Sequence, residues 1–403
     1  MGSVLVLSLS LFVTTAGGVT LRGSVVDASG APISGALVDI ATAAPLVGKG
    51  LFCPSCYPDC QKKTRTDANG EFVIEKLSPE LKFRVLIGAP GKKPLLTELI
   101  DPLNAPTTFP LADLPTDVPP ERIVTGVIVD DMKRPVEGAL VEVSGVKTAD
   151  RRWIGANKAE PAVTNAQGEF RLFLPDGYQA VDVEVFAEGF AGTKQLLVTP
   201  GEKLAPIVLP SGGRVTGRLL TDGKPANGVR IAVVQTNRSG DGFFIKAVEA
   251  TSESDGRFAF DYLPAAQEYV IFSVVGEGPQ DLVLTTKRFT APNDRQERDL
   301  GDLPLVPAMQ ISGQLQLAAG QQAPAHARLM VERDPAWDLI SVPVAPDGRF
   351  QIRGLPPETY VLGLAADNLQ IEPARLKYQS LDRNRFGVRL KASLDNLVIP
   401  LKP

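Results

Sequence analysis

One short pattern occurs four times in this chain: a polar residue that favours turns, a glycine, one variable residue and a phenylalanine. The four copies are Asn69-Gly70-Glu71-Phe72, Gln167-Gly168-Glu169-Phe170, Asp255-Gly256-Arg257-Phe258 and Asp347-Gly348-Arg349-Phe350. Glycine tolerates the positive φ of a tight turn, and the alternating apolar residues that follow are typical of a strand. The pattern therefore predicts a β-hairpin four times. The glycines lie 98, 88 and 92 residues apart, the size of a small all-β domain and too long for one solenoid unit.

Each repeat contains about seven short apolar runs with turn residues between them, and no stretch shows a long helical spacing of apolar positions. Hydrophobic residues make up 44% of the chain and charged residues 22%, so each repeat has enough apolar side chains to bury a core. We therefore predict an all-β protein of four tandem seven-stranded β-sandwich domains. Their predicted bounds are 19–112 for the first repeat, 121–210 for the second, 211–306 for the third and 307–403 for the fourth.

Residues 1–18 combine an apolar run, Val4 to Val13, with small residues from Thr14 to Gly18. This layout predicts a signal peptide and a secreted, periplasmic or cell-surface protein. The run has no preceding Lys or Arg, which leaves a misplaced start codon, a short membrane anchor or a first strand as alternatives. We expect no membrane span after removal of the signal, because no other run approaches the ~18 apolar residues that a span needs. The net charge of −4 gives no basic face for nucleic acid.

The motifs of the first repeat follow one another in the order Gly23, Pro32, Gly35-Ala36-Leu37-Val38, Thr66-Asp67, Gly70, Phe72 and Leu77. Those of the second are Gly126, Pro135, Gly138-Ala139-Leu140-Val141, Gly168 and Phe170. The third and fourth repeats keep the strand glycine and the hairpin but have Asn227-Gly228-Val229 and Pro324-Ala325-His326 in place of Gly-Ala. This order of motifs is similar to that of the carboxypeptidase regulatory-like domain, a transthyretin-like fold. The resemblance implies Greek-key, prealbumin-like sandwiches. It also implies a noncatalytic module, since the zinc peptidases that carry such domains use two histidines and a glutamate as ligands, and this chain has one His.

The three cysteines, Cys53, Cys56 and Cys60, all lie in an insert of the first repeat. Three thiolates could bind zinc, with Asp59 or water as the fourth ligand. An exported protein more often holds cysteines as disulfides. We predict one disulfide among the three, with metal binding and redox chemistry as alternatives. The spacing does not decide which two cysteines pair.

Large aromatic residues precede the hairpin in every repeat. They are Phe52 and Tyr57 in the first, Trp153 in the second, Phe243 and Phe244 in the third, and Trp337 in the fourth. Rings exposed at one end of a sandwich could stack on sugars or contact a protein. Rings that close the open end of a core need no ligand. We therefore have two hypotheses for these loops, and Tyr57, Trp153, Phe243, Phe244 and Trp337 are the candidate ligand-binding residues.

The remaining polar residues suggest no chemistry. Asp67 and its counterparts could be imagined as calcium ligands, but a turn itself favours Asp or Asn. His326 has no Ser or Cys companion in a recognisable motif. We expect no catalytic residue, metal or cofactor. The predicted function is an exported, noncatalytic spacer or binding and adhesion module with a cell-surface or cell-wall protein or a glycan as partner. A carbohydrate- or peptide-binding protein is the alternative, and an enzyme centred on the cysteines is a third.

Overall fold

The structure is a computed structural model. It describes residues 18–47, 57–155, 158–237, 243, 248–275, 281–333, 336, 339–382 and 384–402. The chain separates into two compact units, one formed by residues 1–88 with 95–112 and the other by 89–94 with 113–403. The first unit contains the first repeat, and the second unit contains the other three. The predicted signal peptide lies outside the described residues apart from Gly18.

The first repeat consists of seven strands in two sheets. The strands are β1 Val19–Asp27, β2 Leu37–Pro45, β3 Lys63–Arg65, β4 Glu71–Leu77, β5 Leu81–Gly88, β6 Leu95–Leu96 and β7 Thr108–Leu111. The sheet orders are β4-β1-β7 and β3-β2-β5-β6. β1 pairs antiparallel with β4 and parallel with β7. Short 3-10 helices occupy Pro58–Gln61 and Pro102–Asn104.

The second repeat has the same strand order after a 3-10 helix at Pro120–Arg122. Its strands are β8 Ile123–Asp130, β9 Leu140–Lys147, β10 Arg152–Ile154, β11 Ala162–Val163, β12 Glu169–Phe173, β13 Ala180–Phe186, β14 Thr193–Val198 and β15 Ile207–Leu209. One sheet is β12-β8-β15, and the other is β10-β9-β13-β14. The short β11 also pairs with β9, so β10 and β11 together stand where β3 stands in the first repeat.

The third repeat repeats this arrangement with two additions. Its strands are β16 Gly213–Thr221, β17 Lys224–Pro225, β18 Arg230–Gln235, β19 Val248–Thr251, β20 Arg257–Leu263, β21 Glu268–Ser273, β22 Leu282–Val283, β23 Lys287–Thr290, β24 Glu297–Pro304 and β25 Val306–Pro307. β16 pairs with β20 and with β24, and β19-β18-β21-β23 form the second sheet. The additions are β17, which pairs with β16, and the small sheet of β22 and β25.

The fourth repeat returns to seven strands. They are β26 Met309–Gln316, β27 Arg328–Arg333, β28 Leu339–Pro343, β29 Arg349–Leu355, β30 Thr359–Ala365, β31 Arg385–Arg389 and β32 Leu394–Pro400. The sheets are β29-β26-β32 and β28-β27-β30-β31, with a 3-10 helix at Pro373–Arg375. In all four repeats the first strand has as its parallel neighbour the last strand of its own sheet, which is β7, β15, β24 or β32.

The two sheets of a repeat pack face to face because alternate residues of each strand are apolar. In the second repeat, Ile128 and Phe170 from one sheet share a buried cluster with Val141 and Val183 from the other. The third and fourth repeats each have a corresponding cluster. The prediction of an all-β sandwich architecture is thus confirmed. The bounds of four separate domains stay a prediction, since the chain separates by contacts into two units.

The repeated hairpin motif fixes how the three-stranded sheet is packed. Gly168 has φ +73°, and a Cβ there would lie 2.4 Å from the Ile128 carbonyl oxygen, so both conformation and space require glycine. Two residues later, the ring of Phe170 covers Gly126 of β8, where a Cβ would lie 2.7 Å from the ring. The strand glycine and the hairpin phenylalanine therefore form one packing unit.

A buried hydroxyl ties the hairpin to the preceding loop in three repeats. The Thr164 hydroxyl donates to the Val136 carbonyl oxygen at 2.7 Å and accepts from the Ala139 amide at 2.8 Å. Thr66 and Ser252 make the same two kinds of bond in the first and third repeats. The fourth repeat has Val344 at this position, packed in its core cluster. The corresponding Ala327 amide donates instead to the Pro324 carbonyl oxygen at 2.9 Å, so the apolar side chain leaves that amide paired.

Candidate functional site

The cysteine insert is described in its last part only. Cys60 is fully buried on the 3-10 helix, and Tyr57 at the start of that helix is half-buried. The helix is held by the buried Asp59, whose carboxylate accepts from Lys62 Nζ at 2.6 Å and from the Ser78 amide at 3.2 Å. Cys53 and Cys56 lie outside the described residues, so the disulfide stays a prediction.

Trp153 lies on β10 and is half-buried within the second repeat. Its ring contacts that of Tyr178 edge-on, with 6.2 Å between ring centroids. The Arg151 guanidinium lies 4.6 Å from the centroid of the indole ring, which is the geometry of a cation–π contact. The next residue, Ile154, is 48% exposed. Trp153 is thus held by its own repeat while its neighbour faces solvent.

Phe243 lies at the junction between the second and third repeats. Its ring is 5.4 Å from that of Phe186 in the second repeat. It also occupies the space beside Gly192, where a Cβ would lie 2.0 Å from Phe243 Cζ. Gln235 Nε2 donates to the Phe243 carbonyl oxygen at 3.0 Å, which ties the loop to β18. The ring is therefore engaged in contacts between repeats, and Phe244 and Trp337 lie outside the described residues.

A second group of junction contacts has a polar character. Ser211 Oγ donates to Asp131 Oδ2 at 2.6 Å and accepts from Arg295 Nε at 3.1 Å. Arg295 also forms an ion pair with Asp131. Because Arg295 is half-exposed, solvent screens this pair, and it contributes little to stability. Among the described residues, an aromatic contact and a surface network thus join the second and third repeats.

The junction between the third and fourth repeats is apolar and buried. β18 and β21 of the third repeat each present apolar residues on the face that points away from their own core. We call this surface the outer face of the third repeat, and it consists of Ala232, Val234, Val270 and Phe272. These four residues form one buried cluster with Ala336 of the fourth repeat. In the opposite direction, Val275 packs against the core cluster of the fourth repeat.

A charged side chain is buried at the same junction. Arg333, at the end of β27, is 1% exposed, and its guanidinium lies 4.9 Å from the Phe272 ring centroid. It donates to the Ser273 carbonyl oxygen at 2.5 Å and lies 3.8 Å from a Glu358 carboxylate oxygen. Buried charges of this kind are stable only when paired and hydrogen-bonded.

The ionisable groups with shifted pKa values are engaged in packing or in surface ion pairs. The hydrogen bonds from Arg218, followed by its charge, lower the pKa of the exposed Asp302 carboxyl. Burial raises the pKa of the Tyr269 phenol, whose hydroxyl donates to the Pro264 carbonyl oxygen at 3.3 Å. In the described part of the chain, no three His, Cys, Asp or Glu residues are grouped as metal ligands would be.

The turn residue Asp67 and His326 both have local partners. Asp67 Oδ1 accepts from the Asn69 amide at 2.8 Å and from the Glu71 amide at 2.9 Å. This is the hydrogen bonding expected of an aspartate in a turn. His326 Nε2 lies 2.7 Å from Asp367 Oδ2. Among the residues that the structure describes, no helix is long and apolar enough to cross a bilayer.

Residues 20–101 match the carboxypeptidase regulatory-like domain family. The resemblance predicted from the sequence motifs is therefore confirmed for the first repeat. No curated protein matches the chain.

Solved structures with similarity to the chain include three bacterial proteins. The TIE protein of Bacillus anthracis is 12% identical with a TM-score of 0.20, covering 92% of this chain and 68% of its own. A streptococcal ancillary pilin is 14% identical with a TM-score of 0.25, over 72% of this chain and 99% of its own. BcpA, the major pilin subunit of Bacillus cereus, is 12% identical with a TM-score of 0.20, over 71% and 99%.

Arg333, Glu358 and Gly192 contribute to the contacts between repeats, but none of them lies in a recognisable sequence motif. The sequence does contain one signal of the junction between the third and fourth repeats. Ile231–Val234 and Val270–Phe272 are uninterrupted apolar runs, and such runs are typical of strands that are buried on both faces.

Proposed function

We propose that this protein is an exported, noncatalytic array of β-sandwich repeats that acts as a structural spacer or as a binding and adhesion module. The observation that carries the proposal is that side chains of one repeat make contacts with the neighbouring repeat. Phe243, a candidate ligand-binding residue, contacts Phe186 of the preceding repeat, and Arg333 is buried against the third repeat. Side chains that hold neighbouring sandwiches together support a mechanical role, because they limit how neighbours reorient.

Export is tested by expressing the full chain in a bacterium and determining its N-terminus after cell fractionation. We expect the protein outside the cytoplasm, cleaved between Ala16 and Gly18. Cytoplasmic protein with an intact Met1 would contradict the proposal. A variant with Leu7→Arg and Leu11→Arg is the control, since charges within the apolar run should abolish export.

Binding of a glycan or peptide is the second candidate function. The observation that favours it is on β10, where Trp153 is half-buried and Ile154 is exposed. A glycan array and a cell-wall binding assay would compare the unchanged protein with Trp153→Ala and Trp337→Ala. Loss of binding in either variant supports the candidate. Tyr262→Ala is the matched control, because this exposed tyrosine lies outside the predicted loops.

A further inference from the structure

Two neighbouring charged residues of the fourth repeat, Arg333 and Glu358, form hydrogen bonds with the backbone of the third repeat. Arg333 donates to the Ser273 carbonyl oxygen at 2.5 Å. Glu358 accepts from the Thr286 amide at 2.5 Å. The two side chains also lie 3.8 Å apart. Each side chain therefore hydrogen-bonds the backbone of the third repeat, and the two opposite charges lie at ion-pair distance without a hydrogen bond between Arg333 Nη1 and Glu358 Oε2.

These bonds form where water is excluded. The Arg333 side chain has 0% of its surface exposed and that of Glu358 11%. The ring of Phe272 lies beside the guanidinium, at the edge of the outer face of the third repeat. Truncating one member of such a pair leaves the other charge buried without compensation. Movement of one repeat against the other would in addition uncover Val234, Val270 and Phe272.

We infer that Arg333 and Glu358 lock the third and fourth repeats into one mechanically cooperative body. The lock resists bending because Arg333 and Glu358 are each hydrogen-bonded to a fixed backbone atom of the third repeat while their opposite charges attract each other. The apolar contact alone is non-directional and would permit sliding. Charge-assisted hydrogen bonds to fixed backbone atoms supply the missing orientation. This inference goes beyond the proposed function and does not depend on where the protein resides.

Pulling single full-length molecules by their two ends tests the lock. The strands from β16 to β32 span residues 213–400. If the two repeats yield together, one step releases roughly 600 Å of chain, at about 3.5 Å per residue. If they are independent, each gives its own step of roughly 300 Å, as the first and second repeats also do. A step of roughly 600 Å is the expected result, and its absence in the unchanged protein would overturn the inference.

Substitutions then show whether the ion pair is responsible. In Arg333→Met, which keeps most of the apolar stem, we expect the single step to split into two. Arg385→Met is the matched control, because Arg385 belongs to the same repeat and forms an ion pair with Glu332 while half-exposed; this variant should keep the single step. If Arg333→Met does not fold, Glu358→Gln should produce the same split. A single step retained in the folded Arg333 or Glu358 variant would assign the coupling to the apolar contact and overturn the lock.

Discussion

The two junctions of the second unit join repeats of the same strand order by different means. Between the second and third repeats, Phe243 packs on Phe186, and Arg295 binds Asp131 at the half-exposed surface. Between the third and fourth, Phe272 and Arg333 are both buried. The three repeats share one strand order, yet the two junctions differ in how much charge and apolar surface they bury. The two junctions therefore differ in a few side chains, although the repeats that they join share one strand order.

The two junctions differ because the four-stranded sheets of the repeats have different residues on the face that points away from the core. In the third repeat these residues are apolar, and the fourth repeat covers them. In the fourth repeat the corresponding strand β27 presents Arg328 and Glu332. The Arg328 guanidinium donates to the Ser341 carbonyl oxygen at 3.1 Å, and Glu332 lies 3.4 Å from Arg385. An apolar face needs a neighbour to exclude water, whereas a face with paired polar groups is stable in solvent.

The largest expected effect is at the buried junction. Phe272→Ala should lower the free energy of unfolding by about 4 kcal/mol, because it leaves a cavity between two repeats and removes the ring beside Arg333. Denaturant titration measures this loss. Phe260→Ala, in the core of the same repeat, should cost a similar amount without separating the two repeats. A loss below about 1 kcal/mol for Phe272→Ala would show that the junction is not tightly packed.

The next largest loss of stability is expected for a substitution inside a repeat, in the part of the fold that all four repeats share. Thr164→Val should lower the free energy of unfolding by about 2–3 kcal/mol, since the buried Ala139 amide and Val136 carbonyl both lose a partner. Thr125→Val, on the exposed side of β8, is the control and should change stability by less than about 0.5 kcal/mol. Equal losses in the two variants would mean that the buried hydroxyl has no structural importance.

At the half-exposed junction we expect a smaller effect from steric conflict. Gly192→Ala places a methyl group in the space of the Phe243 ring and should cost about 1–2 kcal/mol. The combination with Phe243→Leu should recover most of this loss, because the smaller side chain vacates that space. Thermal unfolding of the single and double variants checks the expectation. Gly387→Ala is a control, since nothing lies within 4 Å of a Cβ at that position.

The smallest effect is expected for the surface network of that junction. Asp131→Asn should lower stability by about 0.5 kcal/mol at low salt, as is usual for exposed ion pairs. The difference from the unchanged protein should shrink in 1 M salt, where the screening length is about 3 Å. Denaturant titrations at the two salt concentrations measure it. A loss comparable to that of Phe272→Ala would remove the distinction between the two junctions.

The sequence predicted the interior of the repeats better than their junctions. Gly168 and Phe170 stand two residues apart, so local spacing is enough to indicate their hairpin. Arg333 instead meets Ser273, 60 residues earlier in the chain, and no local pattern indicates such a contact. The aromatic residues before each hairpin are visible in the sequence, but the partner of Phe243 depends on how two repeats pack. Local hydrogen bonding is visible in a sequence, whereas packing between distant segments is not.

The parallel pairing of the first and last strands determines how each repeat would carry tension. Because these strands lie side by side and point the same way, force applied at the two ends of a repeat slides one along the other and loads their hydrogen bonds in shear. Three residue pairs join β15 to β8, whereas six join β24 to β16 and five join β32 to β26. Under a rising load the second repeat should therefore extend before the third and fourth, acting as the yielding link of the second unit.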